Sequence, residues 1–250
     1  MRIVKPDGLI AFYSGANDAL NDSWRPCMNT LTDTHLAALL DRLFAEADTA
    51  WQTLASTLTD LPEGEVARLM RSKTEYREFY GRLKDVALPV SRETGRLLYL
   101  LARSSGARTI VEFGTSFGIS TLHLAAALRD NGGGRLITSE FEPTKVARAR
   151  GNLAAGGLED LVEFRVGDAL RTLAQDLPDS IDLLLLDGAK ALYPEILALV
   201  ESRLRPGALV IADNADHCPE YLARVREANS GYLSLPFAED VELSMRLAVD

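Results

Sequence analysis

Arg108-Thr109-Ile110-Val111-Glu112-Phe113-Gly114-Thr115-Ser116-Phe117-Gly118-Ile119-Ser120 decides the fold. Thr109–Phe113 reads as a buried strand. It runs into a turn bracketed by Gly114 and Gly118, and then into a helix whose first turn carries Ser120 and Thr121. Such a junction brings bare backbone N–H groups and a helix N-terminus to one point, where a small polar ligand can be held. Glu112 stands two residues before the first glycine, at the C-terminal edge of the strand.

Downstream of Ala107, strand and helix patterns alternate, the signature of a parallel, doubly wound α/β sheet. The helix Ile119–Arg129 is followed by a strand Arg135–Phe141 and a helix from Pro143 to Ala155. A strand Leu161–Val166 and a short helix Leu170–Ala174 come next. Ile181–Leu186 is almost continuously apolar, as a strand covered on both faces must be. Tyr193–Leu204 is predicted helical, Pro206-Gly207 a turn, Ala208–Ala212 a strand and Pro219–Ala228 a helix. Tyr232–Phe237 and Val241–Ala248 flank a short acidic turn and predict an antiparallel hairpin closing the sheet at about seven strands.

Upstream, residues 1–30 carry many turn formers and predict a loosely ordered arm. Met28 precedes a better-organised segment and is an alternative native start to Met1. Thr32 or Asp33 can cap a helix through Leu36, Leu39, Leu40, Leu43 and Ala47. Further helices are predicted over 50–58 and 64–80, and another runs from Ser91 to Gly106. Residues 31–106 thus form a helical cap and lead-in helix to a catalytic domain at 107–250.

The 250 residues suit one α/β domain with an extension. No apolar run approaches the roughly 18–20 residues that cross a bilayer, and no signal peptide pattern opens the chain, so a cytoplasmic protein is expected. A net charge of −9 without a basic cluster argues against nucleic acid or membrane partners. Cys27 and Cys218 lack metal-type spacing and read as free thiols.

Polar residues mark the strand ends in two sets. Glu112 and Gly114 end the first strand, Glu140 the second, and Gly167-Asp168-Ala169 follows the third. Ser116 stands where a dinucleotide fingerprint needs a glycine to admit pyrophosphate, and Glu112 adds negative charge nearby. Glu140, about twenty residues beyond the turn, can accept from both ribose hydroxyls. A ribose ligand without phosphates but with a positive centre fits, and S-adenosylmethionine has those properties. In the second set, Asp187-Gly188-Ala189-Lys190 and Asp213-Asn214 end neighbouring strands about 4.8 Å apart. Two carboxylates and an amide oxygen suit Mg²⁺, or another divalent cation such as Mn²⁺ or Ca²⁺. Lys190 reaches the same opening, where the cation would push its amine down far enough to act as a base.

Together these residues resemble the cation-dependent O-methyltransferases that include the caffeoyl-coenzyme A and catechol enzymes. The resemblance covers about Leu88 to Asp250 and implies a Rossmann-like class I methyltransferase fold. It places Val90, in Leu88-Pro89-Val90-Ser91, against the cofactor. It implies that Glu112 lies near the methionine amine, Ser120 near the carboxylate, and Gly114 and Thr115 within the first cofactor motif. Ser139-Glu140-Phe141 resembles the ribose-binding strand end, and Asp168-Ala169 the adenine-side loop. Asp187 serves cofactor and metal, Asp213 and Asn214 match metal ligands, and Lys190 matches the base. A homodimer is implied by the same resemblance.

The reaction expected is transfer of a methyl group to a hydroxyl of a small acceptor, catechol-like or another vicinal diol. A sugar or other natural-product hydroxyl is the alternative; a nucleotide-dependent oxidoreductase and a non-catalytic cofactor-binding protein are the remaining classes. Ala189 replaces a bulky aromatic of the catechol enzymes, leaving the acceptor wall open. His217 reads as a loop histidine near the substrate entrance, with a second base as the alternative. Trp24, Trp51, Phe79, Tyr80 and Tyr193 are candidates to line an aromatic acceptor or to pack the core.

Overall fold

The computed structural model of the chain describes residues 29–58, 61–62, 64–237 and 240–248, with the backbone alone for 51–58. Almost all of the expected arm 1–30, the Met28 start, Trp24, Cys27 and the side chain of Trp51 lie outside the described residues. The N-terminal third is helical, with two departures from the spacing. Helix α1 runs without a break over Thr34–Leu58, where two helices were expected. Ala47-Asp48-Thr49-Ala50 contains neither Gly nor Pro, so nothing there stops propagation. Asp33 caps this helix, its Oδ1 accepting from the His35 N–H at 2.9 Å. Conversely, the single helix expected over 64–80 is two, α2 (Glu65–Met70) and α3 (Tyr76–Arg82). Between them Ser72 Oγ accepts from the Glu75 N–H at 3.0 Å, which gives the backbone a turn in place of helix continuation. Helix α4 (Arg92–Ser104) starts at Ser91, whose Oγ accepts from the Thr94 N–H at 3.0 Å.

The alternation then follows the sequence pattern. Strand β1 (Thr109–Phe113) leads to α5 (Ile119–Asp130), β2 (Arg135–Glu140), α6 (Pro143–Ala155), β3 (Val162–Val166) and α7 (Ala169–Thr172). β4 (Ile181–Leu186), α8 (Tyr193–Val200), β5 (Leu204–Ala212), α9 (Pro219–Arg226), β6 (Tyr232–Phe237) and β7 (Val241–Arg246) complete it. Pro206 and Gly207 do not turn the chain ahead of β5 but lie inside it. The pairing of β5 with β4 shifts register between Ile181 and Leu183, and an irregularity of that kind is where a strand tolerates proline.

The seven strands form one sheet in the order β3-β2-β1-β4-β5-β7-β6. The pairs from β3 to β5 are parallel, and β7 joins β5 and β6 antiparallel. The order reverses direction between β1 and β4, which is where an open α/β sheet opens a crevice. Alternate residues of β1 serve opposite faces. Ile110 joins Leu36, Leu43, Leu98 and Leu122 on one side; Val111 joins Tyr193, Ile196 and Tyr221 on the other. Helix α5 is buried along Ile119–Leu128, and its polar residues there, Ser120, Thr121 and His123, are all hydrogen-bonded. No helix among the described residues is long and apolar enough to cross a membrane.

Leu122 is fully buried where α5 meets this core. Leu122→Ala is expected to lower the unfolding free energy by about 2–5 kcal/mol, measured by urea titration of the wild-type and variant chains.

Candidate active site

The strand ends meet because one backbone can approach another. Gly114, at φ +103°, directs the position of its missing Cβ to within 2.5 Å of the Asp187 carbonyl oxygen. Only glycine fits there. Asp187 N–H donates to the Phe113 carbonyl at 2.8 Å, and Asp213 N–H to the Leu186 carbonyl at 2.9 Å. The ladders of β1, β4 and β5 thus continue one residue past the strands and set Asp187 beside Asp213. The fully buried Tyr193 holds the second acid from behind, its hydroxyl donating to the Asp213 carbonyl at 2.7 Å. Its ring packs edge-on against Phe113 and Tyr221; it is core, as is Phe79, and lines no acceptor.

A cleft opens at these ends, next to the Asp187 and Asp213 strand termini. Gly114, Glu140, Phe141, Asp168, Ala169 and Asp187 all line it. Glu140 takes the Ser116 N–H on one carboxylate oxygen at 2.9 Å and the Glu142 N–H on the other at 3.0 Å. A loop N–H that would face a pyrophosphate therefore faces a carboxylate. Asp168 caps α7, its Oδ1 accepting from the Leu170 N–H at 3.0 Å. A smaller adjoining cavity is lined by Thr115, Ser120 and Asp187. Val90 and Glu112 line neither: Val90 sits in the core, and Glu112 lies behind Ser120.

Glu112 is fully buried and takes hydroxyl donors from Ser120 at 2.6 Å, Thr121 at 2.7 Å and Thr138 at 2.6 Å. Burial pushes its carboxyl up to about 7, against the pull of the three hydroxyls. The acid expected at the methionine amine is thus, in this structure, an anchor for the first turn of α5.

Asp187, Lys190 and Asp213 form one buried cluster. Lys190 Nζ lies 2.9 Å from Asp187 Oδ1 and 3.9 Å from Asp213 Oδ2. Burial and the Asp187 charge push the Asp213 carboxyl up to about 8. Burial works against the Lys190 ammonium, but Asp187, Tyr193 and Asp213 outweigh it and hold the amine protonated well above its ordinary range. The downward push expected of a cation is the reverse of what these carboxylates do alone. Asn214, in the left-handed region at φ +49°, donates from Nδ2 to Asp240 at 3.0 Å, which leaves its amide oxygen as the free donor atom for a cation. Among the described residues no three or more His, Cys, Asp or Glu side chains converge as a metal site. Two carboxylates and an amide oxygen nevertheless fit a hard cation that keeps its remaining positions for water or ligand.

The cap brings Tyr80, a candidate from the sequence, to the cleft, and adds Tyr76, which the sequence did not single out; the two lie one turn apart on α3 and line the cleft with Ala189. The Tyr76 hydroxyl donates to Asp168 Oδ2 at 3.0 Å, and Tyr80 lies close enough to Lys190 and Asp187 to feel both charges. Lys73, just ahead of α3, bridges Glu195 of α8 at 2.6 Å and Glu220 of α9 at 2.8 Å. Spacing alone makes Tyr76 and Tyr80 a pair on one helix face but does not say what that face covers. His217 is exposed beside Asp216 and lines neither cavity. Cys218 is buried and free.

Residues 111–215 match the family described as a methyltransferase domain. Catechol O-methyltransferase of Niastella koreensis is 38% identical over 131 residues, covering 51% of this chain and 58% of its own length. Catechol O-methyltransferase of Mycobacterium tuberculosis is 34% identical over 143 residues, with coverages of 57% and 64%. Over these segments the chain is similar to catechol O-methyltransferases. It spans about 60% of the length of those two relatives. Among solved structures, the O-methyltransferase TomG from Streptomyces achromogenes, involved in tomaymycin synthesis and in complex with SAM, is 27% identical. Its TM-score is 0.58, with 78% of this chain and 95% of that chain covered. The segment of this O-methyltransferase-like chain that matches the domain contains Glu112, Glu140, Asp168, Asp187, Lys190, Asp213 and Asn214. Tyr76, Tyr80, Val90 and Asp240 lie outside it.

Glu112 has a carboxyl raised in the folded chain above its unfolded value, so the native state binds the extra proton. That contribution is present below about pH 4.5 and is lost as pH rises to about 7. Glu112→Gln is expected to flatten the fall in stability of the metal-free chain between these values. Urea unfolding at pH 5 and pH 8 measures it; equal pH dependence in both chains rules it out.

Proposed function

We propose that this chain transfers the methyl group of S-adenosylmethionine to a hydroxyl of a small acceptor, one of a vicinal pair, with Mg²⁺ or a similar divalent cation. The observation that carries this reading is the buried Asp187–Lys190–Asp213 cluster at the edge of a cleft lined by Glu140 and Asp168. The relatives named catechol O-methyltransferase support it. The acid-lined cleft suits a nucleoside bearing positive charge, and Glu140 is placed to accept from its ribose.

A divalent cation held by Asp187, Asp213 and the Asn214 amide oxygen would supply Lewis acidity, lowering the pKa of the acceptor hydroxyls. The chain's residues do the rest. With Asp187 and Asp213 engaged elsewhere, Lys190 would no longer be held protonated, and its amine would take the hydroxyl proton. The oxygen so freed forms a bond to the methyl carbon as the sulfonium–carbon bond breaks, leaving S-adenosylhomocysteine. The cleft contributes by positioning, since no protein atom is covalently changed. Ala189 brings no ring of its own, and the aromatic wall beside the cluster comes from Tyr76 and Tyr80 of the cap.

Asp187→Ala, Asp213→Ala or excess EDTA is expected to reduce methyl transfer from labelled S-adenosylmethionine to a vicinal-diol panel by at least about 10³-fold. Full turnover in EDTA overturns the metal role. Lys190→Met is expected to lower kcat by about 10²–10⁴-fold while S-adenosylhomocysteine affinity stays within about twofold. Wild-type rates at neutral pH overturn the base. Transfer to single hydroxyls as fast as to diols favours the sugar-type acceptor.

A further inference from the structure

Lys145 is a buried cation to which the proposed reaction gives no role. It is the third residue of α6, is only 4% exposed, and lines the cleft with Glu140 and Asp168. Among the described residues no hydrogen bond or ion pair holds its ammonium. Its one close partner is the face of Phe117, 5.9 Å from Nζ to the ring centroid. Burying an ammonium without acceptors is costly, and lysine has three N–H donors to place. Glu140, Glu142, Asp187 and Asp85 attract it through space, but none lies within ion-pair distance. The donors therefore point into a cleft built for a ligand.

The chemistry of a ribose identifies what they meet. Each hydroxyl of the diol both donates and accepts, whereas a carboxylate only accepts and an ammonium only donates. Glu140, whose oxygens already take the Ser116 and Glu142 N–H groups, can receive the diol's protons but cannot serve its oxygens. We propose that Lys145 is a cofactor-binding residue whose ammonium donates to a ribose hydroxyl oxygen of S-adenosylmethionine while Glu140 accepts from the same diol. This rests on the methyltransferase reading above. The pair reads the diol as a unit, so the chain discriminates against deoxyribose analogues.

Calorimetric binding of S-adenosylhomocysteine and its 2′-deoxy and 3′-deoxy analogues to wild-type, Lys145→Met and Lys145→Arg chains tests this. Lys145→Met is expected to weaken S-adenosylhomocysteine binding about tenfold or more, as loss of a charge-assisted hydrogen bond does. Against one of the two deoxy analogues, wild type and Lys145→Met are expected to bind equally. Lys145→Arg, which keeps a donor, recovers part of the loss; Lys145→Gln replaces the Met variant if that one fails to fold. Unchanged binding by the variant overturns the inference alone, as does an equal loss on both analogues. Failure of the wild-type chain to bind S-adenosylhomocysteine overturns the methyltransferase reading and this inference with it.

Discussion

The contact on which the site depends is the approach of Gly114 to the backbone of Asp187, too close for any side chain. Gly188 makes the reciprocal approach, the position of its missing Cβ lying 2.5 Å from the Phe113 ring. With both positions bare, β1 and β4 stay hydrogen-bonded beyond their last residues, and β5 follows in register. The parallel sheet thus delivers the Glu140 and Asp168 cleft on one side of the switch point and the Asp187–Asp213 cluster on the other. Neither half is organised by its own loop; both inherit their placement from strand pairing.

Charge then divides the labour. Glu112 is fully buried, yet it faces three hydroxyls and serves the packing of α5. Asp187 and Asp213 are close enough that one cannot ionise freely without a positive neighbour, and Lys190 fills that place in the cation-free chain. In the proposed reaction a metal ion and a proton on Lys190 compete for the same two carboxylates. Metal affinity and the basicity of the amine are therefore linked: a proton on Lys190 would weaken metal binding, and a bound metal would lower the basicity of the amine.

Much of this was legible in the chain. The period-2 and period-3.6 patterns located every strand of the sheet, and the residues at the strand ends named the cleft and the cluster, because strand termini in a parallel sheet converge by rule. Side-chain direction was less accessible. Glu112 looked like a ligand-facing acid because it stands at a strand edge, but alternation along β1 points it into Ser120, Thr121 and Thr138. Lys145 was passed over because lysine three residues into a helix is ordinarily solvated; only the fold of α6 against Phe117 buries it. Tyr80 was among the aromatic candidates, but Tyr76 was not, because the break at Ser72 that sets α3 over the cleft has no signal in the helical spacing. The uninterrupted α1 and the strand-embedded Pro206 came from competition between local signals and tertiary pairing, which no window of sequence weighs.

Lys73 carries a last consequence. It ties the segment ahead of α3 to α8 and α9 through two carboxylates, and all three side chains are open to water. Beneath it, Tyr76 meets Asp168 across the mouth of the cleft. Exposed pairs of this kind weaken as dissolved ions shorten the reach of their fields to about 8–10 Å or less, whereas the apolar packing of Phe79, Leu69 and Leu83 does not. Ionic strength therefore acts on the roof of the cleft unevenly: it weakens the tie to α8 and α9 and leaves the packing of Phe79, Leu69 and Leu83 as it is.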